Sequence, residues 1–121
     1  MATGTGVAPF RSMSNHLFHL NFTNPIWLFF GCRYEHSLLY EAEFRRMASM
    51  RRTFHYIPTV SRPKEWGGES GHIQQTLQKY ITDFSNKEIY LCGWLEIVKA
   101  MKKDLVACGV PDAQIHFEEW A

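Results

Sequence analysis

Two short, unbroken apolar runs, each closed by a glycine, constrain this chain most: Pro25-Ile26-Trp27-Leu28-Phe29-Phe30 before Gly31, and Ile89-Tyr90-Leu91-Cys92 before Gly93. A strand with one face in water alternates polar and apolar residues. A strand covered on both faces has no such need. Both runs are therefore predicted as strands buried between two layers, the habit of a parallel sheet. Parallel neighbours require a crossover, usually a helix. Helical spacing falls where the crossovers should be: Phe10, Met13, Leu17 and Leu20 over 10–20; Leu39, Phe44 and Met47 over 38–50; Ile73, Leu77 and Ile81 over 72–82; Leu95, Val98, Met101 and Leu105 over 94–108. Thr53 to Val60 and Ile115-His116-Phe117 read as further strands, and residues 61–71 as a loop rich in Gly and Pro. Pro9 suits a first helical turn, Ser37 is the expected cap of the second helix, and Gly109 stops the last one. The alternation implies an α/β fold, a doubly wound parallel sheet with helices on both faces.

Length and charge narrow the function. At 121 residues, with 45% hydrophobic and 21% charged residues, the chain holds one core and is not disordered by composition. A formal charge of +1 gives no footprint for nucleic acid or for a membrane surface. No apolar run reaches the ~18 residues of a membrane span, and MATGTGVAPF lacks the basic start and apolar stretch of a secretory leader. The three cysteines, Cys32, Cys92 and Cys108, match neither a disulfide framework nor a zinc site, and a reducing, cytoplasmic setting is expected. His16 and His19 sit three apart with no third ligand evident, so no metal site is assigned.

Four features carry candidate chemistry, three at the carboxyl ends of predicted strands and one at the chain start, just ahead of the first helix. Ala2-Thr3-Gly4-Thr5-Gly6-Val7-Ala8-Pro9-Phe10 places two glycines just ahead of a helix. Glycine lets backbone approach an anion, and a helix N-terminus offers free N–H groups. Pro9 stands where the third glycine of a dinucleotide fingerprint would be. Phe29-Phe30-Gly31-Cys32-Arg33 brings a guanidinium to a strand end, where it can pair with phosphate. Val60-Ser61-Arg62-Pro63-Lys64 gathers a hydroxyl and two cations, a set that fits a phosphate monoester better than a diol. Leu91-Cys92-Gly93-Trp94 repeats the strand-glycine-helix layout, with no sequence-near base to make Cys92 a nucleophile. Each feature also has a plain reading: a Gly-Thr turn, an exposed arginine, a solvated basic turn, a buried thiol. Their coincidence on one sheet edge is what points to a ligand.

In order and spacing, ATGTGVAPFRSM, FFGCR, LLYEAEF, VSR, YLCG and the closing Ile115, Glu118 and Trp120 resemble the nicotinamide-dinucleotide domain of the ferredoxin–NADP reductase family. FFGCR and VSR are also similar to the reductase halves of cytochrome P450 reductase and sulfite reductase. The resemblance implies a Rossmann-like five-stranded sheet in the order 3-2-1-4-5. It implies NADP(H) across the sheet edge, FAD in an upstream β-barrel domain of the same polypeptide, and hydride transfer between them. Electrons would pass to or from ferredoxin, flavodoxin or another carrier. Thr3 and Cys92 would flank the nicotinamide and Glu118 would lie near it at the domain junction. Gly4, Thr5, Gly6 and Pro9 would form the pyrophosphate turn, with Gly31 and Gly93 beside it. Arg33 would reach the phosphates, and Ser61 and Arg62 the 2′-phosphate, with His72 and Gln74 in the adenosine region.

The chain also departs from that pattern. The Lys and Tyr that follow the Ser-Arg pair in plant-type members are replaced by Glu69-Ser70-Gly71-His72-Ile73-Gln74, and Trp66-Gly67-Gly68 resembles members that use NADH. NADP(H) is favoured over NAD(H) on the Ser61-Arg62 pair. Only Met1 precedes Ala2-Thr3-Gly4, and the flavin-binding motif Arg-x-Tyr-Ser is absent. The expectation is a domain of a longer reductase whose first strand is largely truncated, inactive alone, with residues 26–30 and 88–92 flanking residues 1–4. Two other readings stand beside it: a non-catalytic nucleotide-binding module needing a flavin partner in trans, and a structural domain that has lost its function.

Overall fold

Burial on two faces explains the first apolar run and the Leu91-Cys92 end of the second, where Tyr90 stays exposed. The structure, a computed structural model, describes residues 1–121. The first run is strand β2 (Ile26–Cys32) and the second is β5 (Ile89–Trp94). Leu28 and Phe30 point into one core with Phe10, Phe18 and Phe44; Phe29 points into another with Leu77, Val98 and Met101. The first core lies under α1 (Ala8–His19) and α2 (Glu41–Met50). The second lies under α3 (Ile73–Tyr80) and α4 (Leu95–Ala107). The sheet is the middle layer of three.

Between β2 and β5 runs β1 (Ala2–Thr3), parallel to both, with Ala2 opposite Phe30 and Cys92. The ladder begins at Met1, whose nitrogen donates to the Tyr90 carbonyl at 2.7 Å and whose carbonyl accepts from Cys92 N–H at 3.1 Å. Residues 26–30 and 89–92 therefore flank the chain start, as expected. Outward from β2 lies β3 (Phe54–Val60), paired along its whole length, and outward from β5 lies β6 (Ile115–Trp120).

The sheet has six strands where five were expected. The loop after β3 carries β4 (Glu69–Ser70), which pairs with Thr59 and Val60, giving the order β4-β3-β2-β1-β5-β6. The five expected strands keep their relative order, and β4 is an added edge. The outer rim of β3 is otherwise unpaired. Thr53 O accepts from Ile26 N–H, so the odd-numbered residues of β3 face β2 and Pro58 faces outward, where its missing N–H costs the ladder nothing.

The second helix also begins later than expected. Ser37 closes a short 3-10 turn (Glu35–Ser37), and α2 starts at Glu41 after Tyr40, whose φ is 56°. Leu38 is the cause: its side chain is buried in the first core, which stretches the backbone between turn and helix. Leu39 consequently stays outside the helix and exposed, and Met50 is 70% exposed at the helix end. Ser37 caps nothing; Glu41 and Glu43 in the first turn favour the helix start instead.

Candidate functional site

The chain leaves β1 toward the α1 layer and leaves β5 toward the α4 layer. Adjacent parallel strands whose continuations part to opposite faces open a crevice at their carboxyl ends, the place where doubly wound sheets hold ligands. Its floor is Thr3. Glycines hug this residue on both sides: a Cβ at Gly93 would lie 2.5 Å from Thr3 Oγ1, and one at Gly31 would lie 3.5 Å from Thr3 Cγ2 and 2.6 Å from Ile73 Cγ2.

The chain then turns through the 3-10 segment Gly4–Val7 directly into α1, with Pro9 in the first helical turn. Gly4 has φ +54° and nothing within 4 Å of where a Cβ would be. Its left-handed backbone favours glycine, although its flank is open. Gly6 is bare for the opposite reason: its Cβ would sit 2.4 Å from the Cys92 carbonyl oxygen. The turn is thus clamped to the end of β5 while Gly4 and Thr5 stay exposed. The exposed N–H groups ahead of α1, with the helix dipole behind them, suit an anion.

Three more segments meet the same edge. Ser61 N–H donates to Cys32 O at 3.0 Å and Arg62 N–H to Arg33 O at 2.8 Å, so two backbone bonds tie the segments just beyond β2 and β3 together and bring Arg33 beside Ser61 and Arg62. Both arginines are exposed and neither has a carboxylate partner, whereas Arg11 is held by Glu43 and Arg45 by Glu41. The loop returns to its origin: Gly71 N–H donates to Val60 O at 3.0 Å, and His72, exposed, follows it immediately before α3.

Cys92 is buried, and burial raises its thiol pKa, with the Glu118 carboxylate adding to the effect. The thiol is therefore a neutral group at physiological pH, not a nucleophile. Glu118 lies directly across from Cys92 in the β5–β6 register and is exposed. Gln74 departs from the group: it lines a small hollow between α3 and α4 with Met1, Leu77 and Met101. Ile73 occupies the position under Gly31 instead. Sequence reasoning missed Ile73, and it missed Glu35, whose carboxylate accepts from the Lys64 and Glu65 amides.

An oxidoreductase NAD-binding domain matches residues 1–103. The chain belongs to that family. It is 31% identical over 104 residues to an NAD(P)H-flavin reductase of Vibrio harveyi, covering 85% of this chain and 44% of that protein. It is 27% identical over 129 residues to ferredoxin–NADP reductase B of Sorangium cellulosum, covering 99% and 52%. The flavohaem-like FAD/NAD-binding domain of nitric oxide dioxygenase from Vibrio cholerae shares the fold, with a TM-score of 0.88 at 20% identity over 98% of this chain and 48% of that one. The chain spans about half or less of the length of these relatives. No helix is long and apolar enough to cross a membrane.

Proposed function

We propose that this chain is the pyridine-nucleotide domain of a flavin-dependent reductase and that it prefers NADP(H) to NAD(H). One observation carries the reading: a bare glycine turn at a helix N-terminus shares one sheet edge with two guanidiniums free of any carboxylate. A pyrophosphate needs backbone N–H groups and positive charge; a 2′-phosphate needs a second cationic site. In this reading Gly4, Thr5, Gly6 and Pro9 form the pyrophosphate turn and Arg33 reaches its oxygens. Ser61 and Arg62 hold the 2′-phosphate, with His72 the candidate stacking partner for adenosine. Gln74 has the weakest claim, because it faces the α3–α4 hollow.

Thr3, Gly31, Cys92 and Gly93 would frame the nicotinamide, and Glu118 would stand beside it. Glycines on both sides let the Thr3 side chain pack against the ends of β2 and β5, which fixes it in that frame. Cys92, protonated by its burial, offers a neutral polar edge without competing as a base. When bound, the nucleotide supplies a hydride and FAD accepts it. The flavin domain belongs, in this reading, to the same polypeptide, with ferredoxin, flavodoxin or a similar carrier as redox partner. The length of the relatives and the name of the Sorangium protein support this. Residues 1–121 then form the nucleotide domain. Three free cysteines accord with a reducing, cytoplasmic setting.

The test is Arg62→Ala. Loss of a charge-assisted contact to the 2′-phosphate should cost about 1–3 kcal/mol of NADP+ affinity and leave NAD+ affinity nearly unchanged, as read by calorimetric titration. Equal losses for both nucleotides would remove the assignment of Arg62.

A further inference from the structure

We propose that Glu35 is a positioning residue for 2′-phosphate recognition, holding the Ser61–Arg62 turn in place through the backbone amides of Lys64 and Glu65. The inference rests on the nucleotide reading above. The stretch from Ser61 to Gly68 has no helix or strand, contains Pro63, and ends in two adjacent glycines. Such a segment is costly to order when a ligand arrives, and that cost is subtracted from affinity.

Backbone bonds tie down only its start, through Ser61 N–H to Cys32 O and Arg62 N–H to Arg33 O. Pro63 has no N–H to give. The next two amides have no backbone acceptor, and one side chain receives both: Glu35 Oε1 accepts from Lys64 N–H at 3.1 Å and from Glu65 N–H at 2.8 Å, with Oε2 3.3 Å from Lys64 N. Glu35 lies two residues beyond Arg33, in the turn that follows β2. The same short segment thus supplies one cation of the site and the brace for the other.

The Glu65 amide is the chief cause that holds the Glu35 carboxyl below the usual carboxylate range, so the brace is ionised at neutral pH. Ionised bonds of this kind are the stronger ones. Glu35 keeps its negative charge, and the two N–H groups it binds offset only part of that field. The predicted consequence is selective: Glu35 should matter for a 2′-phosphorylated ligand and be indifferent to the rest of the dinucleotide.

The experiment compares wild type, Glu35→Ala and Glu35→Gln in the full chain, titrated with 2′,5′-ADP and with 5′-AMP, alongside amide hydrogen exchange. Glutamine keeps an Oε1 that can accept from both amides, so it is the rescuing variant. Glu35→Ala should weaken 2′,5′-ADP by about tenfold, the scale of one charge-assisted bond, while 5′-AMP stays within about twofold and Glu35→Gln retains most of the affinity for both. Exchange at the Lys64 and Glu65 amides should accelerate in Glu35→Ala, with the β2 and β3 amides unchanged.

Unchanged exchange at Lys64 and Glu65 would overturn the brace itself. Faster exchange with an unchanged ratio of the two affinities would overturn its role in recognition and leave the nucleotide site standing. If wild type binds neither compound, the nucleotide reading fails, and the role of Glu35 in recognition falls with it.

Discussion

Three glycines of this chain differ in why they are glycine, and alanine at each should report it. At Gly6 the obstacle is contact: a Cβ would lie 2.4 Å from Cys92 O and 2.7 Å from Cys92 C, both backbone atoms. Ordinary contact begins near 3.4 Å, so the Gly4–Val7 turn and the end of β5 must separate by about 1 Å. Forced separation of packed elements costs about 1–3 kcal/mol. At Gly4 the space is empty but φ is +54°, a left-handed backbone that costs a side-chain-bearing residue roughly 1–2 kcal/mol. At Gly67 nothing lies within 4 Å and no left-handed φ applies, so alanine should be neutral or stabilise by up to about 1 kcal/mol through the unfolded state. Thermal unfolding followed by circular dichroism would rank the three. With about 3–6 °C per kcal/mol for a domain of this size, Gly6→Ala should lower Tm by roughly 3–18 °C, Gly4→Ala by roughly 3–12 °C, and Gly67→Ala not at all. Gly6→Ala should also weaken nucleotide binding, because it lifts the turn off β5. A Gly6→Ala protein as stable as wild type would refute the clamped turn on which the site is built.

Other outcomes follow from buried groups. Burial raises the Cys92 thiol and takes Cys32 to about 11, while Cys108 is exposed. At pH 8 a thiol reagent should modify one cysteine quickly in the native chain and all three in denaturant. Rapid modification of Cys92 would show that the crevice floor is open.

What was legible in the sequence was whatever local pattern decides. The runs at Ile26–Phe30 and Ile89–Cys92 betrayed strands covered on both faces, and the glycines after them marked the sheet edge where Thr3, Arg33, Ser61 and Gly93 now converge. The sixth strand was not legible. Glu69 and Ser70 are polar and short, and they pair only because the loop returns to Val60. The start of α2 was misread because burial of Leu38, a tertiary demand, overrode the capping preference of Ser37. Gln74 faces away from the other candidates for a reason of side-chain direction: Ile73 takes the position under Gly31, and its neighbour lines the hollow toward α4. Glu35 left no local signal, since its partners lie 29 and 30 residues away.

The central claim is that one sheet edge binds the nucleotide, and a titration of the isotopically labelled chain with NADP+ followed by amide chemical shifts tests it directly. The account predicts shifts concentrated at Thr3–Gly6, Gly31–Arg33, Ser61–Arg62 and Cys92–Gly93, with NAD+ moving the same residues except Ser61 and Arg62. Shifts confined to other surfaces, or none at saturating nucleotide, would contradict it.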